Sequence, residues 1–383
     1  MKDLLERAPN PVDRRSFIKR SFATAGTATV GAAVLTHASP LLADRDDRDD
    51  PDRSGRLTRG DAAILRFAAA AEILETDFWV QYNELAGIQD SEVPGGTGNP
   101  DYMAKFVSVD DDFPQYIHDN TDDEFTHQNF LNHYLISKGA DPINLERFRT
   151  LPGSTATGSS GKLRLTNLMQ LTLDTSWYTR YRSSRHNPDL DPNFAFPQAV
   201  PDLSKGQFTA IPRSDADLTP DDHLQAIVNT AIWHMPTIEQ GGNSLYPAMA
   251  QRATSVETLR ILISIGPTET MHFQTWSDLA GDAPPITDSQ SGLTFPDLNS
   301  PPFGGATFQT SLIMPEPCPF LSRRLPRCSV IRPTETRHAA MGVLKFLTDM
   351  GLFIGQSMEF FRVMRDLAED ADAARRGGDS SRR

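Results

Sequence analysis

The sequence predicts an all-α protein built on a four-helix bundle, with a long insertion between the second and third bundle helices and a helical extension at the C-terminus. Three observations lead there. Few segments alternate with period two, so strands are scarce. Four long stretches have the composition and the stop signals of helices. Each of them carries a glutamate in its interior, and two place a histidine three residues after it.

The bundle is expected over residues 61–281. Its first helix reads "RGDAAILRFAAAAEILETDFWVQYNELAG", with Asp61 near the start, strong helix formers throughout and Gly87 as the stop. The second region runs through "DEFTHQNF" to Gly139. The third covers Asp222 to Arg252, and the fourth Ser255 to Leu279 with Gly281 beyond. Pro236 and the pair Gly266 and Pro267 predict a kink or a restart in these last two, because proline removes an amide donor.

The insertion spans 140–220. It contains a Gly/Ser/Thr-rich run at 151–161, a further helical candidate, "GKLRLTNLMQLTLDTSWYTRYR", and a Pro-rich polar excursion from 184. Residues 282–333 read as loops, 334–371 as one amphipathic helix and 372–383 as a disordered tail.

At the N-terminus, Arg14 and Arg15 precede Ser16, Phe17, Ile18 and Lys19, followed by a weakly apolar Ala/Gly/Thr stretch that ends in small residues. This looks like a twin-arginine signal over residues 1–43, cleaved after Ala43 with Ala38 as the alternative, and it predicts a periplasmic or extracellular protein. The stretch is too rich in Gly and Thr for a spanning helix. Residues 44–60, with "DRDDRDDPDRSGR", read as a charged, solvated linker. The two cysteines, Cys318 and Cys328, lie ten apart in a Pro-rich loop, so a local disulfide and two free thiols both stay open. A net charge of -13 excludes an electrostatic nucleic-acid surface and leaves small-molecule or metal chemistry as the expectation.

The E-x-x-H spacing occurs three times: Glu124 with His127, Glu269 with His272, and Glu335 with His338. On a helix such a pair lies on one face and can reach one ion together. Two pairs plus one glutamate from each of two other helices give four carboxylates and two imidazoles, the ligand set of di-iron and di-manganese bundles. Glu239 is the single mid-helix glutamate of the third helix, and the first offers Glu72 and Glu75. Tyr246 follows Glu239 by seven residues and Trp79 follows Glu72 by seven, on the same faces. Glu335, after Pro333 and Thr334, reads as a carboxylate favouring a helix N-terminus. Thr121 and Glu124 also spell a capping box, which would start a helix there without a metal. His118, His133 and His234 read as ordinary polar residues. Trp79, Tyr246 and Trp276 read as core aromatics, with an electron relay as the alternative.

The series "ILRFAAAAEILETDFW", "EFTHQNFL", "IEQGGNSLY" and "ETMHFQTW" is similar, in order, to the four bundle helices of exported ferritin-like proteins, the group that includes plant desiccation-related proteins. The resemblance covers residues 61–280 and implies a ferritin-like bundle. It implies metal ligands at Glu72, Glu124, His127, Glu239, Glu269 and His272, and it alone selects Glu72 over Glu75. The cofactor it implies is two metal ions, iron first and manganese as the alternative. Glu124 and Glu269 would bridge them, His127 and His272 would each serve one ion, and Glu72 and Glu239 would be terminal carboxylates. The expected activity is oxidation of Fe(II) by oxygen or peroxide, with that oxidant as small-molecule partner and the twin-arginine translocase as partner during export. Two alternatives stay open: a manganese catalase-like disproportionation of peroxide, and a non-catalytic stress or envelope protein whose site is structural or empty.

Overall fold

The computed structural model describes residues 55–183, 193–301, 303, 315–316, 324, 328–329 and 338–376. Arg14, Arg15, Ala38, Ala43, Cys318 and Glu335 lie outside the described residues. Among the described residues there are eight α-helices: α1 Arg59–Ala86, α2 Pro100–Val109, α3 Phe113–Ser137, α4 Ser176–Arg180, α5 Asp221–Ala250, α6 Val256–Gly281, α7 Ala339–Asp349 and α8 Met358–Ala373. The four long ones, α1, α3, α5 and α6, form the bundle, with α1 packed on α3 and α5 on α6. Two short antiparallel pairs, Ile286–Thr287 with Thr294–Phe295 and Pro315–Glu316 with Cys328–Ser329, are the β-structure of the described residues.

Local chemistry sets the helix ends. Thr58 caps α1 by accepting the Asp61 amide at 3.1 Å, so the helix begins at Arg59. Asn99 caps α2 in the same way, accepting the Tyr102 amide at 2.9 Å, with Pro100 in the first helical position. Ser255 caps α6 through the Thr258 amide at 3.0 Å. Gly139, just past α3, has φ +72°, the left-handed conformation that closes a helix. Thr121 is interior to α3, and its hydroxyl donates to the Ile117 carbonyl at 2.7 Å, so it caps nothing.

The prolines do not restart the helices. Pro236 lies inside continuous α5 and Pro267 inside continuous α6. The Pro267 ring is on the exposed side of α6, as is Ile263, whose carbonyl loses its amide partner, so water can satisfy that group. Around Pro236 the helix is buried from Ile227 to Glu239, and tertiary packing overrides the local preference.

Two further expectations are corrected. The helical candidate at 161–182 is instead an irregular segment, with single bridges at Arg164 and Leu171, that ends in the single turn α4. Its amides are taken by distant acceptors: Leu165 and Thr166 by the Asp77 carboxylate, Asn167 by the Leu352 carbonyl, Leu171 by Phe208 and Thr172 by Met350. A helix would have to break all of these, and Thr166, Thr172, Thr175 and Thr179 weaken the run's helix propensity. The C-terminal stretch is two helices, not one: Gly351 and Gly355 between them have φ +90° and +95°. A Cβ on Gly351 would also stand 2.5 Å from the Gln170 carbonyl oxygen, so the turn wraps directly onto the insertion. The ordered chain also reaches past the expected end of that extension. Asp372 is buried, accepts the Ala340 and Met341 amides, and thereby caps α7.

The insertion is therefore part of the core. Trp177 of α4 is buried against Trp233 and Phe273, and its indole N–H donates to Thr237 Oγ1 at 3.0 Å. Asp77, itself buried, gathers the other end: besides the two amides it accepts from Thr166 Oγ1 at 2.7 Å and pairs with Arg149. Replacing Asp77 with alanine strands two buried amides and a guanidinium, and it should lower the unfolding free energy by about 3 kcal/mol, read as a shift of the urea midpoint. A shift below about 0.5 kcal/mol would mean that the insertion is not fastened there.

Candidate metal centre

The bundle's interior is charged at mid-height. From α1 comes Glu72, from α3 Glu124 and His127, from α5 Glu239, and from α6 Glu269 and His272; Glu72, Glu124, Glu239 and Glu269 are each 1% exposed or less. The structure brings all six together. Glu72, Glu124, His127 and Glu269 each offer a ligand atom within 4.8 Å of the others, and so do Glu124, Glu239, Glu269 and His272. Glu124 and Glu269 belong to both groups. His127 Nδ1 stands 3.3 Å from Glu72, 3.2 Å from Glu124 and 3.6 Å from Glu269. His272 Nδ1 stands 3.4 Å from Glu124 and 3.4 Å from Glu239.

The neighbours hold these groups in place. Asp123 accepts or shares the proton of His272 Nε2 at 2.9 Å, which turns Nδ1 toward the carboxylates. The Tyr246 hydroxyl donates to Glu72 Oε1, and Asn120 Nδ2 donates to Glu239 Oε1 at 3.2 Å. Gly242 leaves room for Glu269, since a Cβ there would lie 2.5 Å from its Oε2. Trp79 and Trp276 stack with centroids 5.2 Å apart, one helical stretch further along.

What remains unpaired points to a cation. Glu72 Oε2, Glu124 Oε1, Glu239 Oε2, both Glu269 carboxylate oxygens and His272 Nδ1 are buried without a hydrogen-bond partner. Orphaned oxygens of this kind cost several kcal/mol each unless something positive is supplied. The donor set, four carboxylates and two imidazoles, neutralises two divalent ions, so the residues fit a di-metal pair.

The same demand shows in the proton affinities. Burial would lower His127, but the charges of Glu72 and Glu124 push it up to about 12. His272 is likewise raised well above the ordinary histidine value, Glu239 and Asp123 outweighing burial. Burial and the Glu72 charge raise Glu124 to about 7, and burial with the neighbouring carboxylates raises Glu269 well above the usual carboxylate range. Glu72 goes the other way: burial alone would raise it, but His127 and the Tyr246 hydrogen bond bring it below 4.5.

Glu75, the residue the first helix offered as an alternative, belongs to neither group. Burial and the charges of Glu124, Glu239 and Glu72 raise it well above the usual range, so it holds its proton more tightly than a free glutamate does. His234 is fully buried with Nδ1 2.8 Å from the Tyr82 hydroxyl, and burial lowers it to about 3, so the imidazole that shares a hydrogen bond with the phenol is neutral. His133 bonds its own helix at Asn129. His338 precedes α7 with φ +56°. Sequence reasoning did not single out Asp123, Asn120 or Gly242. Asn120 is four residues before Glu124 and Gly242 three after Glu239, so helical spacing could have found both; nothing local marks Asp123 as the partner of a histidine on another helix.

A cleft of about 710 Å³ lies on the outer side of α1 and α3, lined among others by Ile73, Thr76, Phe125 and Gln128. None of the six residues lines it.

The chain belongs to the ferritin-like domain family: the family model matches residues 60–282, more than half of its length. Neither the curated proteins nor the solved structures yield a match.

Protonation gives the centre a pH signature. In the metal-free protein Glu124 and Glu269 keep protons that the unfolded chain releases near 4.5, and the histidines keep theirs above 6.5. The folded state then binds more protons, so metal-free stability should fall as pH rises from about 4.5 through 7, with Glu72 opposing only in part. Urea midpoints across that range check it; a metal-free midpoint that rises with pH contradicts it.

Proposed function

We propose that this protein is an exported di-metal carboxylate oxidoreductase that oxidises Fe(II) with oxygen or peroxide. The observation that carries it is the pair of overlapping ligand groups sharing Glu124 and Glu269, with their oxygens left unpaired. Glu124 and Glu269 would serve both ions, His127 and His272 would each hold one, and Glu72 and Glu239 would be terminal carboxylates. When bound, such an ion pair supplies two one-electron redox centres to an oxidant. The chain's own part is to keep the ligands dry and oriented: Asp123 sets the His272 ring, Tyr246 and Asn120 hold one oxygen of Glu72 and of Glu239, and Glu75, its proton held more tightly than usual, stands beside the centre as a proton donor. Iron is favoured over manganese by the resemblance to exported ferritin-like proteins, the group with the plant desiccation-related proteins. Disproportionation of peroxide by manganese is the competing activity.

Elemental analysis and two assays test this. The purified protein should hold about two iron or manganese ions per chain. Glu269→Ala with His272→Ala should lose them, whereas Glu335→Ala with His338→Ala should not. Loaded protein should oxidise added Fe(II); oxygen release from hydrogen peroxide without Fe(II) oxidation would move the assignment to a catalase, and a fully loaded protein inert in both assays would make the site structural.

Export rests on Arg14 and Arg15. Folding around the metal before export would let the cytoplasm select it, whereas outside, copper and zinc would compete for nitrogen and oxygen ligands. Replacing both arginines with lysine should leave precursor in the cytoplasm on fractionation, and unchanged export would remove the proposal.

A further inference from the structure

A second group of ligating side chains stands apart from the bundle centre. Asp90 and Glu92 lie in the loop that leaves α1, and His118 lies on the first half of α3. Their ligand atoms are all within 4.8 Å of one another. His118 Nε2 is 2.9 Å from Asp90 Oδ2 and 3.8 Å from Glu92 Oε2. The loop is held for this: Asp90 Oδ1 accepts the Glu92 amide at 2.9 Å, so the other oxygen faces the imidazole. Gln89 fastens the loop to the end of α1 through the Asn83 and Gly87 carbonyls.

The group carries unmet demand. Glu92 Oε2 and His118 Nδ1 are screened from water without a hydrogen-bond partner. Asp119 and Asp122 add negative charge on the α3 side, Asp119 at 3.6 Å from His118 Nδ1 and Asp122 against Glu92. Among the described residues no lysine or arginine forms an ion pair with Asp90 or Glu92. A single imidazole thus faces several carboxylates. Access is open, since the Asp90 side chain is 42% exposed and Glu92 also lines the outer cleft.

We propose that Asp90, Glu92 and His118 form a separate mononuclear site for a first-row divalent transition ion. One nitrogen and two carboxylate oxygens suit manganese, iron, cobalt or zinc, whereas calcium and magnesium favour all-oxygen shells. The exposed side leaves positions for water ligands. The site does not depend on the bundle centre, because it shares no ligand with it.

The probe is Co(II), added to the purified full-length chain, with bound cobalt per chain measured after desalting and the visible d–d bands recorded. Asp90→Asn with His118→Gln should bind one cobalt fewer than the wild type, with its metal-free melting curve unchanged. Glu92→Gln, a milder change, should weaken that same ion at least about tenfold. Glu269→Gln with His272→Gln should empty the bundle centre yet keep the outer cobalt and its bands. Equal cobalt in the wild type and in the Asp90/His118 variant overturns the proposal, as does a bundle-centre variant that binds none. A wild type with a single cobalt that the Asp90/His118 variant loses would uphold this site and count against the di-metal reading of the bundle. If the double variant does not fold, the Glu92→Gln titration decides: unchanged affinity overturns the site.

Discussion

Four carboxylates closed inside a helical bundle are the constraint on which the rest of this structure depends. Glu72, Glu124, Glu239 and Glu269 come from four different helices and meet where water does not reach. Left ionised and alone they would drive the helices apart. Positive charge must be present in some form. Without a metal it takes the form of protons, held by His127, His272, Glu124 and Glu269 at values far from ordinary. With two divalent ions the same residues reach neutrality without protons. The centre is thereby linked to folding: whatever supplies the charge also stabilises the packing of α1 on α3 and of α5 on α6.

Close approach of the helices is the second requirement, and small residues provide it. Gly242 lets the Glu269 carboxylate lie against α5, and Gly266 lets Tyr246 of α5 pack against α6, where a Cβ would stand 2.8 Å from the Tyr246 Cβ. Beyond the carboxylates the core turns aromatic. Trp79 stacks on Trp276, and Trp177 from the insertion fills the other flank beside Trp233 and Phe273. An apolar wall around a charged centre keeps the local dielectric low, which strengthens each interaction made there.

The insertion shows how a segment with weak propensities can be ordered by its surroundings. Its backbone is paired almost amide by amide with Asp77, with the turn between α7 and α8, and with its own later residues. Read by itself, "GKLRLTNLMQLTLDTSWYTRYR" offers regularly spaced leucines and so suggests a helix. Leu165, Leu168, Leu171 and Leu173 are buried, but not from a helix face, and Leu163 is exposed. Periodicity reports that a segment is amphipathic without reporting which neighbours will take its hydrogen bonds.

The sequence by itself determined α1, α5 and α6 to within a residue or two, and the stop of α3 at Gly139, because stop glycines and interior composition are local properties of the chain; it did not divide α2 from α3. It also pointed to five of the six residues that meet in the bundle, since an E-x-x-H pair must share a helix face whatever packs against it, and the single mid-helix glutamate of α5 leaves no rival. It could not separate Glu72 from Glu75, which differ by about 60° around α1, because only the position of the other helices says which faces the centre. The path of the insertion, the division of the C-terminal helix at Gly351 and Gly355, the role of Asp123 beside His272 and the meeting of Asp90 and Glu92 with His118 were decided by tertiary structure. Each joins residues far apart in the chain or takes its meaning from another element, and local spacing carries no information about such meetings.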